Sequence, residues 1–216
     1  NPTGIVGDGA GGFFISDIYK HVVWYVNNTG SSQTRLGVTV DNGKSKVVVG
    51  MGSSGSSPEG LAGTSYKLNS PQGLAWHSAN SELYISDYGN HRVIRVTSGG
   101  IARKIAGNST ANNLAGHDAG LALSKTFTYA YGMALDQTNN LLYVGTYAGF
   151  IKKIDISNAD YTQWTAEVVV GKRQGNDSIS EGLEDGDIGY LVTGARAQDI
   201  TGLALSSNGK FLYFTD

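Results

Sequence analysis

The 216-residue chain contains no cysteine. Disulfides, thiolate metal sites and a cysteine nucleophile are therefore excluded together. Charge is also sparse: Asp, Glu, Lys and Arg make up 16% of the residues, whereas a helical protein would carry a surface rich in Glu and Lys. Neither sign dominates, since 16 basic and 18 acidic residues leave a net charge of −2. Nucleic-acid binders usually show a basic stripe or an alkaline pI, so no nucleic-acid partner is expected. No apolar run approaches the roughly 18 residues needed to read as a membrane-spanning helix. The start, Asn1-Pro2-Thr3-Gly4, has no basic segment followed by an apolar one, so no signal peptide is visible. It also has no initiating Met, and the chain reads as processed or as a fragment.

Glycine is abundant, at 31 residues, and Ser, Thr and Asn are frequent. Gly and Asn tolerate the positive φ angles of tight turns, so this composition suits many short strands joined by turns. The strands recur. Phe13-Phe14-Ile15-Ser16-Asp17 is echoed by Leu83-Tyr84-Ile85-Ser86-Asp87, Leu142-Tyr143-Val144-Gly145-Thr146 and Leu212-Tyr213-Phe214-Thr215-Asp216. Each is a short apolar and aromatic run that ends in a turn residue. A strand containing a glycine precedes each: Pro2-Thr3-Gly4-Ile5, Pro71-Gln72-Gly73-Leu74, Ala130-Tyr131-Gly132-Met133 and Ile200-Thr201-Gly202-Leu203. Turn clusters such as Ser78-Ala79-Asn80-Ser81 join the two into hairpins. Third strands follow at Val23–Val26, Val93–Val96 and Ile151–Ile154. Fourth strands end in Gly50, Gly107 and Gly171.

Four consecutive antiparallel strands per repeat predict an all-β fold, a β-propeller of four-stranded blades. A single blade cannot bury both faces, so the unit must stack around an axis. One domain over 1–216 is expected, with blades at about 2–70, 71–129 and 130–199 and an incomplete one at 200–216. The stretch from Leu68-Asn69-Ser70-Pro71-Gln72-Gly73-Leu74-Ala75 through Leu83-Tyr84-Ile85-Ser86-Asp87-Tyr88-Gly89-Asn90-His91-Arg92-Val93, with the closing Ile105-Ala106-Gly107, resembles the NHL repeat. Asp118-Ala119-Gly120 and Asp185-Gly186 look like that family's insert before the next blade. The resemblance covers nearly the whole chain. It weakens in the third repeat, where Thr146 replaces Asp and the Asn-His pair is missing. It implies a propeller that commonly closes with six blades, sometimes five, of which about three and a half are present, with protein binding as its commonest use. The Trp-Asp dipeptide of WD40 blades and the paired glycines of kelch blades are absent.

Residues locked to the repeat read as architecture. An Asp at a strand end can accept hydrogen bonds from the next turn, which assigns Asp17, Asp87 and Asp216 a structural role. Gly4, Gly73, Gly132 and Gly202 are read the same way, and so are His21 and His91, each four residues after its Asp. His77 and His117 are not repeated, which makes them better candidates for chemistry; His77 follows an inner strand near a propeller face where ligands bind, and a residue of a surface turn is the default reading. Two G-x-G-x-x-G matches, at Gly7, Gly9, Gly12 and at Gly50, Gly52, Gly55, lack the helix a dinucleotide site needs; no cofactor is expected from them. Glu181, Glu184, Asp185 and Asp187 form the densest acidic stretch and offer oxygen ligands of the kind Ca²⁺ takes, although the spacing is not that of an EF-hand and a solvated loop is the default. Sequons at Asn27, Asn108 and Asn176 lie in expected loops, where N-glycans fit. Tyr129, Tyr131, Tyr147 and Tyr190 fall in connections or at strand ends and can furnish a recognition surface.

The functional expectation is a non-enzymatic interaction module, part of a larger extracellular or cell-surface protein, with a protein partner. The long connections near Ser53–Ser70, Asn108–Thr128 and Lys172–Gln198 occupy one phase of the repeat and are expected on one face. The alternative is a propeller enzyme, a lactonase-like hydrolase or a metal-dependent lyase, which needs inward carboxylates, Asn or His from several blades. His77 and Asp136 occupy comparable places after inner strands, but Val6 or Gly7 and Ser206 fill the others. A third possibility, RNA binding, would rest on Arg92, Arg95, Arg103, Lys104, Lys152 and Lys153.

Overall fold

A computed structural model describes residues 1–108, 119–147, 149–171 and 200–215. The first sheet contains β1 (Pro2–Gly7), β2 (Phe13–Asp17), β3 (Val22–Asn27) and β6 (Lys44–Val49), in that order. A separate hairpin of β4 (Gln33–Arg35) and β5 (Val38–Val40) interrupts the connection from β3 to β6. The second sheet runs from β8 (Pro71–His77) through β9 (Glu82–Asp87) and β10 (Arg92–Val96) to β11 (Ile101–Ala106), with β7 (Leu61–Ala62) beyond it. The third repeats this: β13 (Ala130–Asp136), β14 (Leu141–Thr146), β15 (Ile151–Asp155) and β16 (Thr165–Val170), with β12 (Gly120–Leu121) outermost. A last hairpin pairs β17 (Gly202–Leu205) with β18 (Leu212–Thr215). All pairings are antiparallel. No helix among the described residues is long and apolar enough to cross a membrane.

Each expected strand is present, and four short strands, β4, β5, β7 and β12, come in addition. β7 and β12 add a fifth, two-residue strand to blades 2 and 3, drawn from the connection that precedes each blade. An outer strand left alone presents unpaired backbone groups, and these short strands cover part of that edge.

Alternation along the strands places side chains on both blade faces, and each interface is filled from both sides. Phe14, Val23, Tyr25, Leu74, Trp76, Ile85 and Ile94 share one buried cluster between blades 1 and 2, with the Phe14 and Trp76 ring centroids 4.9 Å apart. Tyr84, Val93, Ile105, Met133, Val144 and Ile154 share the next, between blades 2 and 3. Ile151, Val170 and Ile200 begin the third, against Leu203 and Phe214 of the last hairpin.

The inner strands approach more closely than side chains allow. A Cβ on Gly4 would lie 2.2 Å from the Gln72 carbonyl oxygen, one on Gly73 2.2 Å from that of Tyr131, and one on Gly132 2.7 Å from that of Thr201. The repeated glycine is thus the place where neighbouring blades meet at the axis. The nearest atoms to a Cβ on Gly202 belong to Thr215 of its own hairpin, the first at 2.8 Å.

Candidate binding surface

Register fixes which groups share a face. Pro71 and Arg92 both pair with Asp87, and Val93 pairs with Ala106. The start of the inner strand, the turn after the second strand and the end of the fourth therefore lie at one end of the blade. The long connection from Gly50 to Pro71 leaves and arrives at that end. The short hairpin turns 78–81, 137–140 and 206–209 lie at the other.

Three of the four tyrosines singled out from the sequence converge on the long-connection face, and Tyr88 joins them. The Tyr131 and Tyr88 ring centroids are 4.8 Å apart, Tyr88 and Tyr129 4.8 Å, and Tyr129 and Tyr147 5.6 Å. The His91 ring packs edge-on against Tyr129 at 4.3 Å. Tyr147 is 48% exposed, and Tyr88, Tyr129 and Tyr131 are half-buried. Burial, then the Tyr131 phenol beside it, pushes the Tyr88 phenol up to about 12. The strip ends at the axis, where Thr3, Gln72, Tyr131 and Thr201, one from each blade, line a cleft of about 470 Å³. Tyr190 lies outside the described residues.

Tyr88 escaped the sequence reading because it sits inside the repeat-like stretch. Alignment of the blades by register could have found it: Tyr88 corresponds to Ile18 and Tyr147.

The histidines locked to the repeat tie one blade to the next. Ser70 N–H donates to His21 Nδ1 at 2.9 Å, and Tyr129 N–H donates to His91 Nδ1 at 3.0 Å. Both histidines hold a left-handed φ of 53°, and the two donors have φ of 54° and 48°. Burial lowers the His91 pKa, which favours the neutral ring that the Nδ1 acceptor requires.

The aspartates divide. Asp17 accepts from the N-terminal ammonium and from the Tyr19 and Lys20 amides. Asp87 is fully buried and accepts from Asn69 N–H, Asn90 and Arg92 Nε, the last at 2.7 Å. Asp216 lies outside the described residues, as do Glu181, Glu184, Asp185, Asp187, His117 and Asn176.

Other candidates are committed to architecture. His77 is 3% exposed and pairs through Nε2 with Asn140 Oδ1 at 3.3 Å. Asp136 accepts from Thr138 N–H, Asn139 N–H and Asn139 Nδ2 within its own turn. No group of three or more His, Asp or Glu among the described residues is arranged to hold a metal. Neither glycine-rich match is followed by a helix. The basic cluster is dispersed: Arg92 pairs with Asp87, Arg95 with Glu82 and Lys153 with Glu167. Lys152 is 2% exposed, and its ammonium donates to the Thr126 carbonyl. Burial, then Lys125, lowers the Lys152 pKa to about 8.

Asn27 corrects the glycan expectation. It is fully buried, and both Nδ2 protons are used, donating to Ser31 O at 2.8 Å and Val40 O at 2.7 Å. The side chain serves as a clip for the β4–β5 hairpin and leaves no room for a glycan. Asn108 is half-buried, with Nδ2 3.4 Å from Thr126 Oγ1.

No protein-family model matches the chain, and no curated protein matches it by sequence. Solved structures do. A Bacteroides thetaiotaomicron protein of unknown function aligns with a TM-score of 0.61 at 15% identity, over 100% of this chain and 44% of that one. A nidogen/laminin complex aligns at 0.56 and 11% identity, over 100% and 56%. A streptogramin B lyase aligns at 0.55 and 11% identity, over 99% and 48%. The chain spans about half the length of these structures, and at such identities the likeness shows the fold alone: this chain is similar to β-propeller proteins in its blade architecture.

Proposed function

We propose that the chain is a non-enzymatic interaction module of an NHL-like, six-bladed propeller, part of a larger extracellular or cell-surface protein, and that it holds a protein partner on its long-connection face. The observation that carries this reading is the tyrosine strip, placed on that face and joined to the axial cleft. Tyrosine supplies large contact area with two side-chain torsions to fix and a polar tip that tolerates water, and it is enriched at interfaces for that reason. The competing reading is a lactonase-like hydrolase or a metal-dependent lyase. It needs inward ligands, whereas His77 is engaged with Asn140 of the next blade's hairpin turn and Asp136 with its own turn.

Immobilised chain serves as bait for extracellular extracts, with retained proteins identified by mass spectrometry. A specific partner is expected to be lost with Tyr147→Ala and kept with Lys210→Ala, which alters the opposite face. Retention by both variants would sink the assignment of the face. A stoichiometric metal in the purified protein, with hydrolase or lyase activity that depends on it, would favour the enzyme.

A further inference from the structure

The tyrosine strip is not something the blade requires. By register, Tyr129 corresponds to Asn1 and Ser70, and Tyr131 to Thr3, Gln72 and Thr201. Tyr88 corresponds to Ile18. The blade 1–2 junction is built with Ile18, Ser70 and Gln72 where the blade 2–3 junction has Tyr88, Tyr129 and Tyr131. Ser70 takes the same positive φ and makes the same bond to a histidine that Tyr129 does. The latch therefore needs only a backbone amide, and the phenol at 129 is surplus to it. Three tyrosines at one junction, with Tyr147 packed on Tyr129 at 5.6 Å, exceed what the equivalent blade 1–2 junction needs.

The chemistry of the strip narrows the ligand. The four side chains carry no formal charge, and the ion pair next to Tyr88 in the chain, Asp87 and Arg92, is closed on itself. None of these four side chains would repay the desolvation of a charged ligand. What it offers is a succession of ring faces and edges with phenol donors at their tips. A polyproline II segment matches that offer. Its prolines present flat apolar rings, and its carbonyls have no internal hydrogen bonds and are free to accept from phenols. It is also already extended, so binding costs little ordering, which is why aromatic-lined grooves elsewhere take such segments.

We propose that Tyr131, Tyr88, Tyr129 and Tyr147 form a docking strip for an uncharged, proline-rich segment of the partner in the polyproline II conformation. This rests on the assignment of the long-connection face as the binding face. The test is a titration of fluorescein-labelled decaproline with the full chain, followed by anisotropy. Saturable binding is expected. Tyr147→Ala should weaken it about tenfold, the scale of one well-packed interface aromatic. Tyr88→Phe and Tyr131→Phe should weaken it several-fold by removing the phenol donors, and Tyr19→Ala, an exposed tyrosine outside the strip, should leave it unchanged. Circular dichroism of each variant reports whether the fold is intact. No saturation at millimolar protein, equal affinity of Tyr147→Ala and the parent, or saturable binding of a neutral oligosaccharide such as cellohexaose with none of decaproline would overturn the proposal. If decaproline fails while Tyr147→Ala still loses the captured partner, the peptide class falls and the face stands. If that variant keeps the partner, the face falls as well.

Discussion

Gly73 shows how a residue can be conserved by geometry within one chain. The repetition of Gly4, Gly73, Gly132 and Gly202 was legible in the sequence; its cause was not, because no local pattern reveals a carbonyl in the next blade. With Tyr131 O 2.2 Å from the missing Cβ, Gly73→Ala must push two inner strands apart. A cost of about 1–3 kcal/mol is expected, as for other overpacking. Gly99→Ala meets nothing within 4 Å and should cost far less. Urea midpoints of the two variants give the comparison. His91 makes a second residue-scale prediction. Its pKa is lowered in the folded chain from an ordinary 6.5. As pH falls, the unfolded chain takes up the proton first. Stability is therefore full above about 6.5 and declines as pH drops from there toward the folded value. Thermal unfolding across weakly acidic pH should show that decline, and His91→Gln should flatten it.

Among the elements, the four-strand unit could be read directly because hydrophobic runs, glycines and turn clusters recur in phase. β7 and β12 could not, since two-residue strands have no periodicity and are defined only by pairing with β11 and β16. The β4–β5 hairpin was likewise hidden, and with it the role of Asn27, whose sequon looked like an exposed loop motif. Removing the clip by Asn27→Ala strands two carbonyls, and a loss of about 1–3 kcal/mol is expected from unmade buried hydrogen bonds. Protein made in a glycosylating host should carry no glycan at Asn27 by peptide mass spectrometry; occupancy there would contradict the packing. The tyrosine strip was partly legible. Tyr129, Tyr131 and Tyr147 stood out by position, but their adjacency, and the inclusion of Tyr88, depend on how blades 2 and 3 meet.

For the molecule as a whole, equivalent positions differ most at the two ends of the blade stack. Ile5 is 68% exposed whereas Leu74, its counterpart, is 6% exposed, and Tyr213 is 61% exposed whereas Tyr84 is 1% exposed. These are blade faces with the composition of a buried interface. The 216-residue chain is expected to self-associate through them, and Ile5→Ser with Tyr213→Ser should shift its sedimentation toward monomer. The interior blades, in contrast, have their faces covered, and their two ends differ among the described residues: one carries short hairpin turns, the other the Gly50-to-Pro71 connection and the tyrosines. Hydrogen exchange of the complex with a captured partner tests that asymmetry most directly. The account predicts new protection at 69–72, 88–91, 129–131 and 146–147, with the turns 78–81, 137–140 and 206–209 unchanged. Protection confined to those turns would contradict it.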